Sequence, residues 1–264
     1  MTVPRVAAMV AAISLSVFTG CSSDPGTLAF PAARLGPPPV DYVGVTSHPN
    51  RPVQDRSRDF ARQPAKALAF AGVQPDMAIL EVDARAGYYT ELLSRIVGEG
   101  GQVYMHNPEA LDAGLENALA ARLEDGRLPN VEMIRAPLDD YPLADDTVDL
   151  VTWFFGPDDL WLTDGSTSRG EPRAAFAEIA RVLKPGGTFV AFSHSAPPNA
   201  TETGVEVLPD SEMSHLLALA DVAGFELVGE SGQFLSPDAP TDAAAFSHPS
   251  RGEADRILFK FEKR

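Results

Sequence analysis

Hydrophobic positions from Ala78 onward switch repeatedly between the two periods that mark strands and helices. Ala78–Val82 is a short apolar run suited to a strand, and Tyr88–Val97 places Leu92, Leu93, Ile96 and Val97 at helical spacing. Gly100-Gly101 turns the chain into a predicted strand at Gln102–Met105. Pro108–Leu123 reads as a helix with Leu111, Leu115, Leu119 and Leu123 on one face. Strands follow at Val131–Ile134 and Val148–Phe155, then a helix at Pro172–Leu183 stopped by Lys184-Pro185-Gly186-Gly187. Thr188–Ser193 is a fifth strand. Ser211–Ala223 is a helix ended by Gly224, and strands at Phe225–Gly229 and Arg256–Glu262 close the pattern. Such alternation predicts an α/β domain whose mainly parallel sheet is covered by helices on both faces, with an antiparallel edge pair at the end. Upstream, Lys66–Ala71 is a short helical piece that Gly72 stops.

The beginning of the chain follows neither period. Arg5 is the sole charge before Asp24, and the apolar stretch Val6–Phe18 runs into Thr19-Gly20-Cys21. A positive start, a short apolar core and small residues before a cleavage point describe a secretory signal over 1–20. The stretch is too short to span a bilayer, which takes about 20 apolar residues. Cys21 is the sole cysteine, so an intrachain disulfide is excluded. Phe18-Thr19-Gly20-Cys21 resembles the bacterial lipobox, with Phe18 where Leu is usual. That resemblance implies lipidation at Cys21 and a membrane held through acyl chains. Ser22, rather than Asp, after the cysteine implies an outer-membrane destination facing the periplasm. The other reading is a plain signal peptide leaving a free thiol. Pro25, Pro31, Pro37, Pro38, Pro39, Pro49 and Pro52 make 21–54 a tether, which leaves 55–264 as the folded domain.

Composition narrows the choice of partner. Asp and Glu outnumber Lys and Arg by 37 to 21 in 264 residues, a net charge of −16. Phosphate backbones call for clustered cations, so nucleic acid is not an expected partner. The histidines His48, His106, His194, His215 and His248 have no metal-ligand spacing, and no metal is expected. Neither a Walker loop nor a G-x-S-x-G elbow occurs. Asp83-Ala84-Arg85 would obstruct a pyrophosphate, which excludes a dinucleotide fingerprint.

In doubly wound sheets ligands sit beyond the carboxyl ends of the strands, so the loop after the first strand is where chemistry is expected. It reads Glu81-Val82-Asp83-Ala84-Arg85-Ala86-Gly87-Tyr88-Tyr89-Thr90. With Arg51-Pro52, Asp55, Arg58-Asp59, Arg62 and Pro64 before it, and Gly101-Gln102-Val103-Tyr104, Asn107-Pro108 and Leu183-Lys184-Pro185-Gly186-Gly187 after it, the chain resembles a family of bacterial S-adenosylmethionine-dependent methyltransferases. The family's loop pattern is E-x-G-x-G-x-G-Y-Y-T. The resemblance implies a Rossmann-like class I methyltransferase fold, a mainly parallel seven-stranded sheet with an antiparallel last strand. It also implies S-adenosylmethionine as cofactor, contacted by Glu81, Asp83, Arg85, Gly87, Tyr88, Thr90, Asn107 and Asp139. Asn107 stands where the family's ribose-binding acid is expected, and Asp139 where adenine is contacted.

Two departures carry weight. Asp83 and Arg85 occupy the first two glycine positions, where a small residue permits a tight turn and close approach of ligand to backbone. An Asp83–Arg85 pair would complement the amino-acid end of the cofactor or else fill its pocket. His106 is expected as an ordinary loop residue. Trp153, Phe154 and Phe155 are expected as core more than as a substrate wall. Asp158 and Asp159 match an acidic position of the family without its histidine. His194, at the end of the fifth strand, is the expected catalytic base, because imidazole titrates near neutrality. Two functions fit these residues: methyl transfer to a small acceptor, or an inactive methyltransferase-fold lipoprotein serving as a binding or scaffold protein in the cell envelope.

Overall fold

A computed structural model describes residues 39–154, 171–194, 209–234 and 256–264. Four short helices come first: α1 (Tyr42–Thr46), α2 (Val53–Arg56), α3 (Asp59–Arg62) and α4 (Pro64–Ala71). Strands and helices then alternate as β1 (Ala78–Glu81), α5 (Tyr88–Val97), β2 (Gln102–Asn107), α6 (Ala113–Leu123), β3 (Val131–Arg135) and β4 (Val148–Trp153). The remainder is α7 (Pro172–Val182), β5 (Leu183–His194), α8 (Pro209–Val222), β6 (Phe225–Phe234) and β7 (Arg256–Lys263).

The seven strands form one sheet in the order β3-β2-β1-β4-β5-β7-β6. Pairs from β3 through β5 are parallel, and β7 runs antiparallel to both β5 and β6. The reversed strand is thus the last in sequence but lies inside the sheet, with β6 at the edge. This is the sheet that the family resemblance implies.

Period-two alternation sorts the strand residues onto two cores. Leu80, Val151, Trp153, Phe189, Ala191, Phe259 and Phe261 face one side, where Phe176 and Ile179 of α7 and Leu216 and Ala220 of α8 cover them. Ile79, Leu150, Val190, Phe192 and Leu258 face the other, against Leu68 of α4 and Leu92, Leu93 and Ile96 of α5. Both faces of the central strands are apolar because both are covered, as buried parallel sheets require.

The Lys184–Gly187 turn lies within β5 rather than before it. Leu183 pairs with Val148 and Thr188 with Leu150, so the four intervening residues bulge out of the ladder. The bulge needs Gly187, where an added Cβ would lie 2.8 Å from the Lys184 carbonyl oxygen. Helix α6 starts at Ala113, not Pro108, because Asp112 caps it: its Oδ1 accepts the Leu115 N–H at 2.9 Å.

The folded unit begins at Pro39 instead of Asp55. Val40, Tyr42 and Val45 pack against the α4/α5 core, and the Tyr42 hydroxyl donates to the Val73 carbonyl at 2.8 Å. Both nitrogens of the Arg51 fork then reach the Asp59 carboxylate, at 2.7 and 2.9 Å. The prolines that suggest a tether conceal this docking. Cys21 and the rest of Met1–Pro38 lie outside the described residues.

A chain shortened to begin at Asp55 should melt roughly 5–10 °C below one beginning at Pro39, since it exposes apolar surface worth about 3 kcal/mol. Thermal unfolding followed by circular dichroism measures the difference, and equal midpoints would show that the segment 39–54 contributes nothing.

Candidate functional site

Strand β1 lies between β2 and β4 and runs parallel to both, so the carboxyl ends of all three share one edge of the sheet beside the loop 82–87 that leads into α5. Three of its residues have left-handed backbone: Asp83 (φ 50°), Arg85 (φ 55°) and Gly87 (φ 76°). These are the three glycine positions of the family pattern. An L-residue in that conformation costs roughly 1–2 kcal/mol, less for Asp than for Arg because a short polar side chain tolerates it better. The loop has therefore kept the glycine path while losing two glycines. At Gly87 an added Cβ would stand 2.9 Å from the Met105 methyl carbon, so a side chain there would displace Met105 as well as strain the backbone.

Neighbouring elements hold this path in place. The Asp83 N–H donates to His106 Nδ1 at 3.2 Å, and the Ala84 N–H to the His106 carbonyl at 2.9 Å. With Nδ1 accepting, the other ring nitrogen carries the proton and donates to the Ala136 carbonyl at 3.0 Å. His106 is thus a fully buried neutral imidazole in β2, not a loop residue as expected. Its neighbour Asn107 grips the next turn at both ends: Oδ1 accepts the Arg85 N–H at 2.8 Å, and Nδ2 donates to the Arg85 carbonyl at 3.2 Å. Arg122 of α6 closes the series, its Nε donating to the Ala86 carbonyl at 2.9 Å.

The departing side chains separate. The buried Asp83 carboxylate accepts the Trp153 indole N–H at 3.2 Å, whereas Arg85 is exposed to solvent. The expected Asp83–Arg85 pair does not form, because the left-handed turn between them sends one side chain inward and the other outward. Trp153 and Phe154 are core, as expected, with Phe154 wedged between Tyr89 and Phe192.

Glu81, at the end of β1, is buried and accepts the Thr90 hydroxyl at 2.5 Å. Burial outweighs that hydrogen bond and the fields of Arg122 and Arg62, and pushes its carboxyl up to about 8. At neutral pH Glu81 is therefore mostly protonated. Tyr88 opens α5 with its hydroxyl on Asp59 at 2.5 Å and the Arg62 guanidinium over its ring at 4.3 Å. Burial, followed by the Asp59 hydrogen bond, raises its pKa far above the ordinary phenol value.

The remaining expected site residues are more dispersed. Asp139 is exposed in the segment after β3, close enough to raise the pKa of buried Tyr141 together with Asp83 and Glu178, after burial itself. His194 ends β5 opposite Arg256, and its side chain lies outside the described residues, as do Asp158 and Asp159. No group of three His, Cys, Asp or Glu suited to a metal occurs among the described residues. Sequence reading missed Arg122, Trp153 as a hydrogen-bond donor, and two buried hydroxyls, Tyr141 and Thr152, that have no partner among the described residues. Arg122 carries no local signal, since its partners lie far away in sequence.

The residues present fit S-adenosylmethionine at the level of the backbone. All three left-handed positions are kept, Asp83 turns aside to Trp153, and the buried hydroxyls of Tyr141 and Thr152 have no hydrogen-bond partner among the described residues. Orphaned buried polar atoms are uncommon and each costs about 1–3 kcal/mol, which a polar ligand would recover.

Residues 80–191 match the model of a family described as "Methyltransferase domain". Among curated proteins, the ubiquinone/menaquinone biosynthesis C-methyltransferase UbiE of Shewanella pealeana is 29% identical over 172 residues, covering 64% of this chain and 57% of that protein. The chain thus spans under two thirds of that relative's length. A solved S-adenosylmethionine-dependent methyltransferase from Aquifex aeolicus superposes with a TM-score of 0.56 at 21% identity, covering 86% of this chain and all of that one. The [4+2]-cyclase SpnF superposes with a TM-score of 0.52 at 18% identity, over 79% of this chain and 80% of that one. At such identities the superpositions establish the fold, and the cyclase shows that the fold hosts more than one named activity.

Two outcomes follow from the loop. Glu81 binds its proton more tightly folded than unfolded, so its contribution to stability is complete below its ordinary 4.5 and is lost as pH rises towards 8. Glu81→Gln should remove a decline of a few kcal/mol across that interval, seen as a flatter plot of denaturation midpoint against pH. Arg85→Gly relieves the left-handed strain but frees the unfolded chain, so it should change stability by no more than about 1 kcal/mol, in the stabilising direction. A loss above 2 kcal/mol in urea titration would show that the Arg85 side chain is itself required.

Proposed function

We propose that the protein transfers a methyl group from S-adenosylmethionine to a small acceptor, a reading supported by the class I fold and by the match of residues 80–191 to a methyltransferase-domain family. The observation that carries the proposal is the left-handed backbone at Asp83, Arg85 and Gly87, kept where two of the three residues have to be forced into it. S-adenosylmethionine, when bound, supplies an activated methyl group on a sulfonium leaving group. The chain's own part is to position and to exclude water. The loop 82–87 and the start of α5, with Tyr88 and Thr90, hold the amino-acid end. Neutral Glu81 places no unpaired negative charge behind it. Asn107 keeps one amide N–H for the ribose while its other groups hold Arg85. Asp139 serves the adenine side. His194 accepts the acceptor's proton where the acceptor has one to lose.

A second reading has its own support. Oδ1 and one Nδ2–H of Asn107 are spent on the Arg85 peptide, and the N–H groups of Asp83, Ala84, Arg85 and Gly87 all have partners within the protein. A site so self-satisfied suits an inactive binding or scaffold protein. The two readings share an anchor. Cys21 is lipidated and holds the domain in the cell envelope, facing the periplasm from the outer membrane; the lipobox-like Phe18-Thr19-Gly20-Cys21 supports this.

Isothermal titration with S-adenosylmethionine and S-adenosylhomocysteine separates the readings. The enzyme reading predicts saturable heat for both and a loss of affinity in Asp83→Gly/Arg85→Gly. The scaffold reading predicts no heat at millimolar ligand, with affinity gained in the double variant. For the anchor, Cys21→Ser should move the protein from the membrane fraction to the soluble envelope fraction, and unchanged fractionation would contradict lipidation.

A further inference from the structure

The loop lacks two of the glycines that would let it adopt its shape unaided, and its shape is imposed by three side chains acting on consecutive stretches of backbone. His106 holds the Asp83 peptide, Asn107 the Arg85 peptide and Arg122 the Ala86 carbonyl. The first two come from β2, directly beside β1. Arg122 comes from α6, and it also reaches the N-terminal helices, through Asp55.

We infer that Arg122 is a positioning residue for the cofactor loop and that helix α2, outside the matched domain 80–191, belongs to the cofactor site through it. The guanidinium is buried and its donors are divided among three elements. Nε reaches the Ala86 carbonyl of the loop, while Nη1 reaches Asp55 Oδ2 of α2 and Glu91 Oε2 of α5, each at 2.6 Å. Two buried carboxylates share Nη1 and so fix the plane of the guanidinium, which leaves Nε one direction in which to donate. Glu91 is in turn held by Arg95 at 2.9 Å and Arg127 at 2.8 Å. Burial raises the Glu91 carboxyl pKa, but hydrogen bonds from Arg127, Arg95 and Arg122 outweigh it and keep the group ionised below the ordinary range. The arrangement leaves no slack at Gly87, where an added Cβ would stand 3.3 Å from Arg122 Cγ.

The mechanical consequence is specific. Ala86 lies between the left-handed Arg85 and the left-handed Gly87, so fixing its carbonyl sets the peptide plane that joins the two turns and leads into α5. Asp55 contributes by aiming Arg122 rather than by touching the loop. Docking of the N-terminal helices and ordering of the loop are therefore one event, and loss of either should loosen the other.

This inference rests on the proposed cofactor use for its binding consequence, but its structural part does not. Hydrogen exchange of the ligand-free full chain should show faster exchange at Asp83–Gly87 in both Arg122→Lys and Asp55→Asn. The lysine variant keeps the charge but has no fork with which to serve Asp55 and Ala86 together. Arg264→Lys, whose exposed ion pair with Asp221 of α8 touches neither the loop nor its clamps, is the control and should leave exchange at 83–87 unchanged. Titration with S-adenosylhomocysteine should then show affinity falling roughly tenfold to a hundredfold in the two clamp variants and not in the control. Unchanged exchange at 83–87 in both clamp variants, or an equal increase in Arg264→Lys, overturns the inference. Wild-type protein that takes up no ligand while the clamp variants still loosen the loop counts against the proposed cofactor and in favour of the clamp.

Discussion

Everything at the carboxyl edge of this sheet depends on backbone held in a conformation its residues do not favour. Glycine makes left-handed turns by removing the Cβ that opposes them. Here Asp83 and Arg85 keep theirs, and the turns persist because hydrogen bonds from outside the loop over-determine them. The cost is local and of order 1–2 kcal/mol per residue. The compensation is distributed over β2, β4 and α6, through His106, Asn107, Trp153 and Arg122.

That exchange of intrinsic freedom for external support has chemical consequences. It holds the buried His106 ring between the Asp83 N–H and the Ala136 carbonyl. It commits most of Asn107 to the protein. It also ties the loop to helices that precede the first strand, because Arg122 cannot serve Ala86 without being aimed by Asp55 and Glu91. A loop of glycines would need none of these partners. The N-terminal helices, which look like an approach to the domain, are accordingly part of its working edge.

The fold was legible in the sequence because its signals are local. Ile79 and Leu80, or Leu150 and Val151, fall on opposite cores by simple alternation, and α5 begins and ends at Tyr88 and Val97 as its periodicity predicts. The position of the candidate site was legible for the same reason, since a strand, a broken glycine pattern and a helix are contiguous. Its internal wiring was not. The Asp83–His106 and Arg85–Asn107 contacts span 23 and 22 residues, and Ala86–Arg122 spans 36. Nothing in the sequence near Arg122 distinguishes it from a solvated arginine. The start of the domain was obscured differently: prolines around Tyr42 and Val45 suggested a tether, although those two side chains have helical spacing and a core to meet.

The central claim is that a loop lacking two of its three glycines still holds the glycine path and receives a nucleoside cofactor there. A crystal structure of the full chain grown with S-adenosylhomocysteine tests it most directly. The account predicts positive φ at Asp83 and Arg85, with the ligand beyond the carboxyl ends of β1 and β2 beside Asn107. Negative φ at either residue, or a ligand bound anywhere else, would contradict it.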